Sequence, residues 1–480
     1  MLRGLFVLAI LLPGMIFALF DRYRALLLYL WFAFFRPQEW VWFSIAQYRV
    51  SLILGLILVV PALATGTFPV LGHPLSIGAL ALLVCGLLAQ TNAVSQAIGW
   101  NWIQFFAQLI LVCTFAVALL KTPRDLIRAI AVVAGSLGYF ATKAGIMSLF
   151  VGGAKYISGL AGAFVDNNGY AMGTVMTIPL VVAVGQNAQV AFGGLLPPRI
   201  IRWVRYGCFL SAPLCAYTVI STFSRGGFLA LVCAIVAFVL LQRRRLKPVL
   251  GLIAVALVVV QFVPLPEGYL QRIDSIPVQQ VVSADEDEDV ASPLEDTAEG
   301  RLHFWRVAML MAEAHPLGVG MRNYELTYND FDFLNGRYGR RRAVHSSHFQ
   351  VLAEMGYAGL LVWLGLFVYA FRIGFLVRKR STTSGLSPDV AHFMFTVSNG
   401  LMVSMVGFLI GSCFISLALN DLTWVTFAFL AALDRMSARL CAEAQPTGAG
   451  HGLVPRFSAG AAPARTGGRA VAATGLRSGR

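Results

Sequence analysis

The sequence predicts an all-α membrane protein with about 12 or 13 transmembrane helices and one large polar segment on the outer side of the membrane. Of its 480 residues, 58% are hydrophobic and only 12% are charged, and the mean hydropathy is +0.73. A soluble domain carries about a quarter charged residues. A chain of this length cannot bury so much apolar surface in a core that is surrounded by water. We therefore expect it to be embedded in a lipid bilayer. Unpaired backbone groups are costly in lipid, and the spanning segments are therefore expected to be helices.

The apolar residues gather in runs of roughly 20, the length that crosses a bilayer as a helix. The run at 23–35 is short enough to lie at the interface, so the side on which the N-terminus lies stays open. No small-residue cleavage site follows the first run, which predicts a retained helix rather than a signal peptide. In chain order the runs lie near 4–20, 23–35, 50–67, 75–92, 100–120, 127–150, 169–187, 204–223, 226–242, 248–263, 349–372, 391–416 and 418–433.

These runs divide the chain into five parts. The N-terminal transmembrane helices occupy residues 1–150 and further transmembrane helices occupy 151–263. A polar segment follows at 264–348, and the C-terminal transmembrane helices occupy 349–443. Residues 444–480 are rich in Ala, Gly, Pro and Arg, a composition that predicts a disordered cytoplasmic tail.

The polar segment contains an acidic run and one predicted amphipathic helix. The acidic run, Asp285 to Asp289, lacks the glycine of a calcium-binding loop, and we interpret it as a solvated stretch. Apolar residues then recur at helical spacing, namely Leu302, Trp305, Ala308, Met309 and Ala312. They predict a helix over 300–314 that lies on the membrane surface or packs on the bundle.

The net charge of +14 follows the pattern of membrane topology rather than that of a nucleic-acid partner. Basic residues cluster between apolar runs, as at 243–247 and 378–380, which is typical of cytoplasmic loops. Counting spans from these clusters places 264–348 and the turn at 221–227 on the outer side of the membrane. The seven cysteines are scattered without metal-ligand spacing, so neither a disulfide framework nor a zinc site is predicted.

Several arginines nevertheless collect on the outer side, where topology does not require them. Arg225 lies at the junction of two apolar runs, beside Ser224 and a Gly-Gly pair that allows a close backbone approach. Arg301, Arg306 and Arg322 follow in the polar segment. Because arginine binds phosphates in bidentate fashion, this group predicts a phosphate or diphosphate ligand. A side chain that snorkels to the interface is the alternative for Arg225.

Two histidines close the polar segment. Unperturbed histidine titrates near pH 6.5, so His345 is suited to take a proton from an acceptor hydroxyl. His348 lies three residues on, and the two share a face if the helix has already begun. A polar interfacial histidine is the structural alternative, and a metal site would lack an evident third ligand. Asn168, Asn420 and Asp421, at outer helix starts, are interpreted either as caps or as sugar contacts.

Taken in order, these motifs resemble the O-antigen ligase and polymerase superfamily of bacterial inner-membrane glycosyltransferases. The resemblance extends from about 163 to 433. Its markers are Ser-Arg-Gly-Gly at 224–227, Gly300-Arg301 with Trp305, His-Pro-Leu-Gly-Val-Gly at 315–320, and His345 nine residues before Glu354-Met355-Gly356. The stretch from Phe35 to Trp40 is similar to O-glycosylation ligases associated with exosortase A systems.

The resemblance implies a GT-C-like, all-helical glycosyltransferase that needs no metal or other cofactor. A glycan on undecaprenyl diphosphate would be transferred to a hydroxyl at the periplasmic face, and a single displacement would invert the sugar carbon. By this analogy Arg225 and Arg301 hold the diphosphate, and His345 orients or deprotonates the acceptor. The candidate substrate-binding residues are Ser224, Asn168, Arg306, Arg322 and His348.

Other functions stay open at this point. A polymerase would differ only in using another lipid-linked glycan as the acceptor. A transporter or flippase should carry ionisable residues in mid-span and repeated halves, whereas Lys143 is the one clear mid-span charge and no repeat is visible. The predicted partners are the lipid-linked donor, a glycan, lipid or protein acceptor, and membrane lipids, but no nucleic acid.

Overall fold

The fold is built from α-helices. The computed structural model describes residues 2–39, 41, 49–150, 165–246, 249–251, 253 and 298–444, and it has no β-strand in these residues. The helices named below are, in chain order, α1 (Leu2–Phe20), α2 (Arg22–Phe35), α3 (Val50–Ala64), α4 (Pro74–Ala89), α5 (Gln96–Leu119), α6 (Pro123–Phe150), α7 (Asn167–Gln186), α8 (Ala188–Phe192), α9 (Pro198–Ser221), α10 (Arg225–Leu241), α11 (Ala298–Ala314), α12 (Tyr324–Phe331), α13 (Ser347–Arg380), α14 (Pro388–Gly411) and α15 (Asp421–Ala444).

Many of these helices have the length and composition of membrane spans. Among the described residues, seven are long and apolar enough to cross a bilayer, namely α1, α4, α5, α6, α7, α13 and α14, while α3 and α10 are apolar but shorter. The predicted all-α, multi-pass membrane fold is therefore confirmed. Most of the run at 248–263, the acidic run at 285–289 and the tail beyond 444 lie outside the described residues. The total of 12 or 13 spans stays a prediction.

The centre of the bundle is the contact between α7 and α14. Small residues on α14 let the two backbones approach closely, as is common between helices in membranes. A Cβ on Gly400 would lie 3.0 Å from Ala183 and 3.1 Å from the Pro179 carbonyl oxygen, and one on Gly407 would lie 2.7 Å from Val175. Both spans are largely buried inside the bundle. This central pair holds α10 and α9 in place, and with them the turn that carries Arg225.

Helix α13 is broken one quarter of the way along by Gly356, whose φ of 69° and ψ of −171° are not helical. A loop from between α11 and α12 fills the break. The backbone N–H of Val319 donates to the Ala353 carbonyl over 2.9 Å, and the Tyr357 N–H donates to the Pro316 carbonyl. The backbone groups at the kink are therefore paired with the loop. The same hydrogen bonds attach the loop, which leads to the start of α12, to the bundle.

Helix α11 confirms the predicted helix over 300–314, but only part of the predicted apolar face is buried, namely Ala308 and Ala312. Leu302 is 60% exposed and Met309 is 41% exposed. The side that is buried carries Phe304, Val307 and Met311 instead, which form a separate small core with α12. The helix has apolar residues on two sides, and the tyrosines of α12 decide which side is covered.

Candidate functional site

A cavity of about 550 Å³ opens at one end of the bundle, where the polar segment meets the helix ends. Its walls come from the end of α2, the first turns of α5, the start of α7, the start of α12, the segment before α13 with the first turn of that helix, and the turn between α14 and α15. The lining residues are Arg36, Trp102, Phe105, Asp166, Arg322, Glu325, Ala343, His345, Gln350, Ile415, Ser416, Leu417, Leu419, Asn420 and Asp421.

A second cavity, of about 620 Å³, lies between α6 and α9. Among its lining residues Lys143 is the one charged side chain, and most of the others are apolar. Such a lining suits a hydrocarbon chain rather than a reaction that builds up charge. The polar cavity is therefore the candidate site.

Strained backbone is concentrated at the polar cavity. Arg36, Arg322 and His345 have φ angles of 50°, 55° and 49°, in the left-handed region that side chains other than glycine rarely adopt. Each such residue costs of order 1–3 kcal/mol, and residues of this kind persist where the surroundings hold them, often at functional sites. Seven non-glycine residues of the described chain have positive φ, and three of them line this one cavity.

His345 lies in the cavity wall, immediately before the N-cap of α13. Its ring centroid is 5.8 Å from that of Phe304 on α11. Two residues on, the buried Ser347 hydroxyl donates to the Ile415 carbonyl over 2.7 Å and accepts from the Leu417 N–H over 2.9 Å. These bonds tie the start of α13 to the turn between α14 and α15, so the backbone that carries His345 is anchored on one side.

His348 does not share a face with His345, because α13 begins only at Ser347. Its ring lies within the bundle. The Trp363 indole N–H donates to His348 Nδ1 over 3.1 Å, and His348 Nε2 is 3.1 Å from the Ser412 hydroxyl and 3.2 Å from the Leu409 carbonyl oxygen. Both ring nitrogens thus have protein partners, and His348 is not among the residues that line the cavity. Its predicted role in substrate binding stays a prediction.

Arg225 is the first residue of α10 and is exposed. The preceding Ser224 caps the helix, since its hydroxyl accepts from the Gly227 N–H over 3.0 Å. The same hydroxyl donates to Asn168 Oδ1 over 2.7 Å. Asn168 is therefore tied to the turn before Arg225, while Asp166, which lines the cavity, is the N-cap of α7. The cavity wall and the Arg225 turn are neighbours.

Arg301 reaches the same place from the other side. Its guanidinium lies over the ring of Phe414, 5.5 Å from the centroid. Gly226, next to Arg225, packs on that same ring so closely that a Cβ there would lie 2.7 Å from Phe414 Cδ2. Phe414 directly precedes Ile415 in the cavity wall. The structure thus brings Arg225, Arg301 and His345, which are widely separated in sequence, to adjoining positions at one end of the bundle.

Of the remaining predicted binding residues, one arginine joins the cavity and one does not. The Arg322 guanidinium lies over the ring of Trp102, 5.0 Å from its centroid, inside the cavity. Arg306 is exposed and lies over Phe333, 5.3 Å from that ring's centroid, away from the cavity lining. Arg306 is five residues after Arg301 on the same helix, which turns its side chain about 140° around the helix axis. The two arginines therefore point in different directions.

The cavity also contains residues that the sequence did not single out as site residues. For Arg36 the sequence does contain an indication, because this residue lies in the motif from Phe35 to Trp40. Asp421 is one of the residues interpreted from the sequence as a cap or a sugar contact. For Trp102 and Glu325 the sequence contains no indication of a place in the site. Asn420 proves to be a cap, because its Oδ1 accepts from the backbone N–H of Thr423, three residues on, over 3.0 Å. No group of three or more His, Cys, Asp or Glu side chains in the described part of the chain is placed to hold a metal ion.

A comparison with protein families finds one described as O-antigen ligase, whose model matches residues 210–364. A search of the curated proteins finds no match to this chain. The family match runs from within α9 to the middle of α13 and contains Arg225, Arg301 and His345. The exosortase association stays a prediction, because the Phe35 to Trp40 motif lies outside the matched residues. With its multi-pass helical fold, the chain is similar over these residues to the O-antigen ligase superfamily, whose members are glycan-processing membrane enzymes and comprise ligases and polymerases.

Proposed function

We propose that this protein is a metal-independent membrane glycosyltransferase of the ligase type. It transfers a glycan from an undecaprenyl-diphosphate donor to an acceptor hydroxyl at the periplasmic face of a bacterial inner membrane. The observation that carries the proposal is the convergence of two arginines and a histidine, Arg225, Arg301 and His345, beside one polar cavity.

The donor diphosphate is assigned to the two arginines around Phe414. Arg225 begins a helix of 17 residues, so the positive end of the helix dipole favours an anion at the same place. Arg301 adds a second guanidinium from α11. Together they neutralise the negative charge that develops on the diphosphate as it leaves, which is the main electrostatic demand of this reaction.

His345 is assigned the acceptor proton. The acceptor oxygen forms a bond to the anomeric carbon, and the bond from that carbon to the diphosphate oxygen breaks. The bonding pair leaves with the diphosphate, and the acceptor proton passes to the imidazole. A diphosphate is already a good leaving group, so no covalent intermediate is needed. Attack from the cavity, opposite the leaving group, inverts the configuration at the sugar carbon.

The orientation in the membrane is supported by the opposite end of the bundle. Arg243, after α10, donates to the Ser381 hydroxyl over 3.0 Å at the end of α13. Arg378 and Arg380 lie in the last turn of the same helix, and Arg380 forms an ion pair of 2.5 Å with Asp434. Basic clusters of this kind mark the cytoplasmic side. The cavity, at the other end of α13, then faces the periplasm.

The test is glycan transfer by the purified protein in lipid, with an undecaprenyl-diphosphate oligosaccharide as donor and an excess of chelator. We expect Arg225→Ala and Arg301→Ala each to lower the rate about 100-fold or more, and His345→Ala to lower it by about 100- to 10,000-fold. Arg306→Ala, on the same helix as Arg301, is the matched comparison and should stay within about threefold of the unmodified protein.

The products separate the two kinds of enzyme in this family. Glycan moved to a different acceptor identifies a ligase, whereas a ladder of longer lipid-linked chains identifies a polymerase. Full activity of His345→Ala would remove the assigned base, and loss of transfer on adding chelator would contradict the metal-independent reaction.

A further inference from the structure

The charges around the polar cavity are mixed rather than positive. Arg36 and Arg322 face it together with three carboxylates, Asp166, Glu325 and Asp421. Arg36 is close enough to Asp421 for the two to interact electrostatically. A diphosphate placed among three carboxylates would be repelled by most of its surroundings. The donor's anionic group is therefore better placed outside, at Arg225 and Arg301, and the cavity is left for a ligand without net charge.

One wall of the cavity is aromatic. Trp102 and Phe105, in the first turns of α5, are arranged edge to face with ring centroids 5.4 Å apart. Trp102 is half-buried, and the Arg322 guanidinium packs against it. Ligand sites commonly combine such apolar surfaces with a few polar groups that orient the ligand. The C–H face of a sugar ring packs on aromatic side chains, while its hydroxyls can donate to carboxylates and accept from guanidinium groups.

The cavity also holds a polar atom that lacks a protein partner. The Ser416 hydroxyl oxygen is buried and forms no hydrogen bond within the described residues. Buried polar groups are nearly always paired, and an unpaired one in a cavity wall calls for a partner from a ligand or water. The volume of about 550 Å³ lies within the range of small-molecule sites, roughly 300–1,000 Å³. It fits sugar units rather than a folded protein surface.

We propose that this cavity is the acceptor subsite, that the acceptor is an uncharged sugar, and that Trp102 and Glu325 determine this specificity. The proposal rests on the glycosyl transfer proposed above and adds the chemical class of the acceptor. Trp102 lies outside the residues 210–364 that match the family, whereas Glu325 lies inside them, so this specificity combines a residue from the N-terminal helices with one from the matched segment.

Two measurements on the full-length protein in lipid test it. The first is equilibrium binding of a panel of uncharged oligosaccharides built from glucose, galactose, mannose or N-acetylglucosamine, compared with the same sugars ending in a uronic acid. The second is transfer from the undecaprenyl-diphosphate donor to each sugar and to a serine-containing peptide. The variants are Trp102→Ala, Trp102→Phe and Glu325→Gln. The control is Trp203→Ala, which removes a tryptophan that is 75% exposed on α9, away from the cavity.

We expect at least one uncharged sugar to bind more tightly than its uronic acid counterpart. Trp102→Ala and Glu325→Gln should each weaken its binding and raise its KM about tenfold, with the donor KM unchanged. Trp102→Phe should restore most of the binding, and Trp203→Ala should change neither quantity. A variant that partly misfolds would lower the apparent kcat and the Tm but leave the acceptor KM unchanged, which separates loss of structure from loss of the subsite.

The outcomes separate this inference from the proposed function. Transfer to the peptide with no binding or transfer to any sugar would overturn the acceptor subsite and leave the transferase intact. Sugar binding that depends on Trp102, without transfer to any acceptor, would support the sugar site and count against the transferase. Binding of sugars that is unchanged in Trp102→Ala and Glu325→Gln would place the acceptor elsewhere and overturn the inference.

Discussion

Replacing Gly226 by alanine tests whether the two arginines act through the ring between them. A Cβ at position 226 would lie 2.7 Å from Phe414 Cδ2 and 2.8 Å from its Cβ and Cγ, where ordinary contact begins at 3.4 Å. Phe414 must therefore move by about 0.7 Å, the difference between 3.4 and 2.7 Å, because the surrounding atoms are closely packed and cannot absorb the overlap. That motion displaces Arg301, whose guanidinium rests on the ring, relative to Arg225.

The expected effect falls on catalysis more than on stability. A misplacement of about 1 Å can cost about 100-fold in rate, so a shift of about 0.7 Å should lower kcat/KM by about 10- to 100-fold. That corresponds to about 1.4–2.7 kcal/mol of transition-state stabilisation. For stability, overpacking costs about 1–3 kcal/mol, and alanine in place of glycine in a helix returns up to about 1 kcal/mol. The folded protein should therefore survive.

The assay is transfer from the undecaprenyl-diphosphate donor, measured together with the thermal unfolding of the purified protein. Gly365→Ala is the matched control, since nothing lies within 4 Å of a Cβ at that position in α13. It should keep full activity and equal or higher stability. A Gly226→Ala protein with the original kcat/KM would refute the reasoning, because Phe414 would then not link the two arginines.

Three further expectations follow from the same geometry. Arg225→Lys keeps the charge but loses the bidentate contact, so kcat/KM in the transfer assay should fall about 10- to 100-fold, and an unchanged value would argue against a bound phosphate. Gly356→Ala would place a Cβ against the Pro316 carbonyl in a left-handed backbone, and it should destabilise the protein by about 3 kcal/mol or more, seen as a lower Tm. Burial lowers the pKa of His303 below its usual 6.5, although Asp332, 3.0 Å away, opposes this. Below about pH 6.5 the unfolded chain therefore gains a proton that the folded side chain resists, and Tm should fall more between about pH 7.5 and 5.5 than it does in His303→Gln.

The membrane fold could be predicted from the sequence because hydropathy depends on composition over a long window, which a single chain displays directly. The orientation of α11 could not. Leu302 and Met309 are apolar at helical spacing, and so are Phe304 and Val307 on the opposite side. Which stripe is buried depends on the tyrosines of α12, about 20 residues later, and local periodicity holds no information about that contact.

The candidate catalytic residues could also be selected from the sequence, whereas their surroundings could not. Arg225 and Arg301 stand out because topology does not require basic residues on the outer side, and His345 stands out because an imidazole can act as an acid or base near neutral pH. Trp102 does not stand out, because tryptophan is common at helix ends in membranes. His348 was grouped with His345 only on the condition that a helix had begun. The start of α13 at Ser347 removes that condition, and sequence spacing alone does not locate a helix start to one residue.

The turn between α14 and α15 explains how these separate elements form one site. Phe414 in this turn separates the two arginines, and the next residues, Ile415 and Ser416, line the cavity. The same turn is tied by two hydrogen bonds to Ser347, two residues after His345. The arginines proposed to bind the donor, the proposed base and the proposed acceptor cavity therefore share one anchored stretch of backbone. A change in the N-terminal helices can alter the cavity wall at Trp102 without moving that stretch. Such an arrangement allows the acceptor to change while the transfer chemistry is kept.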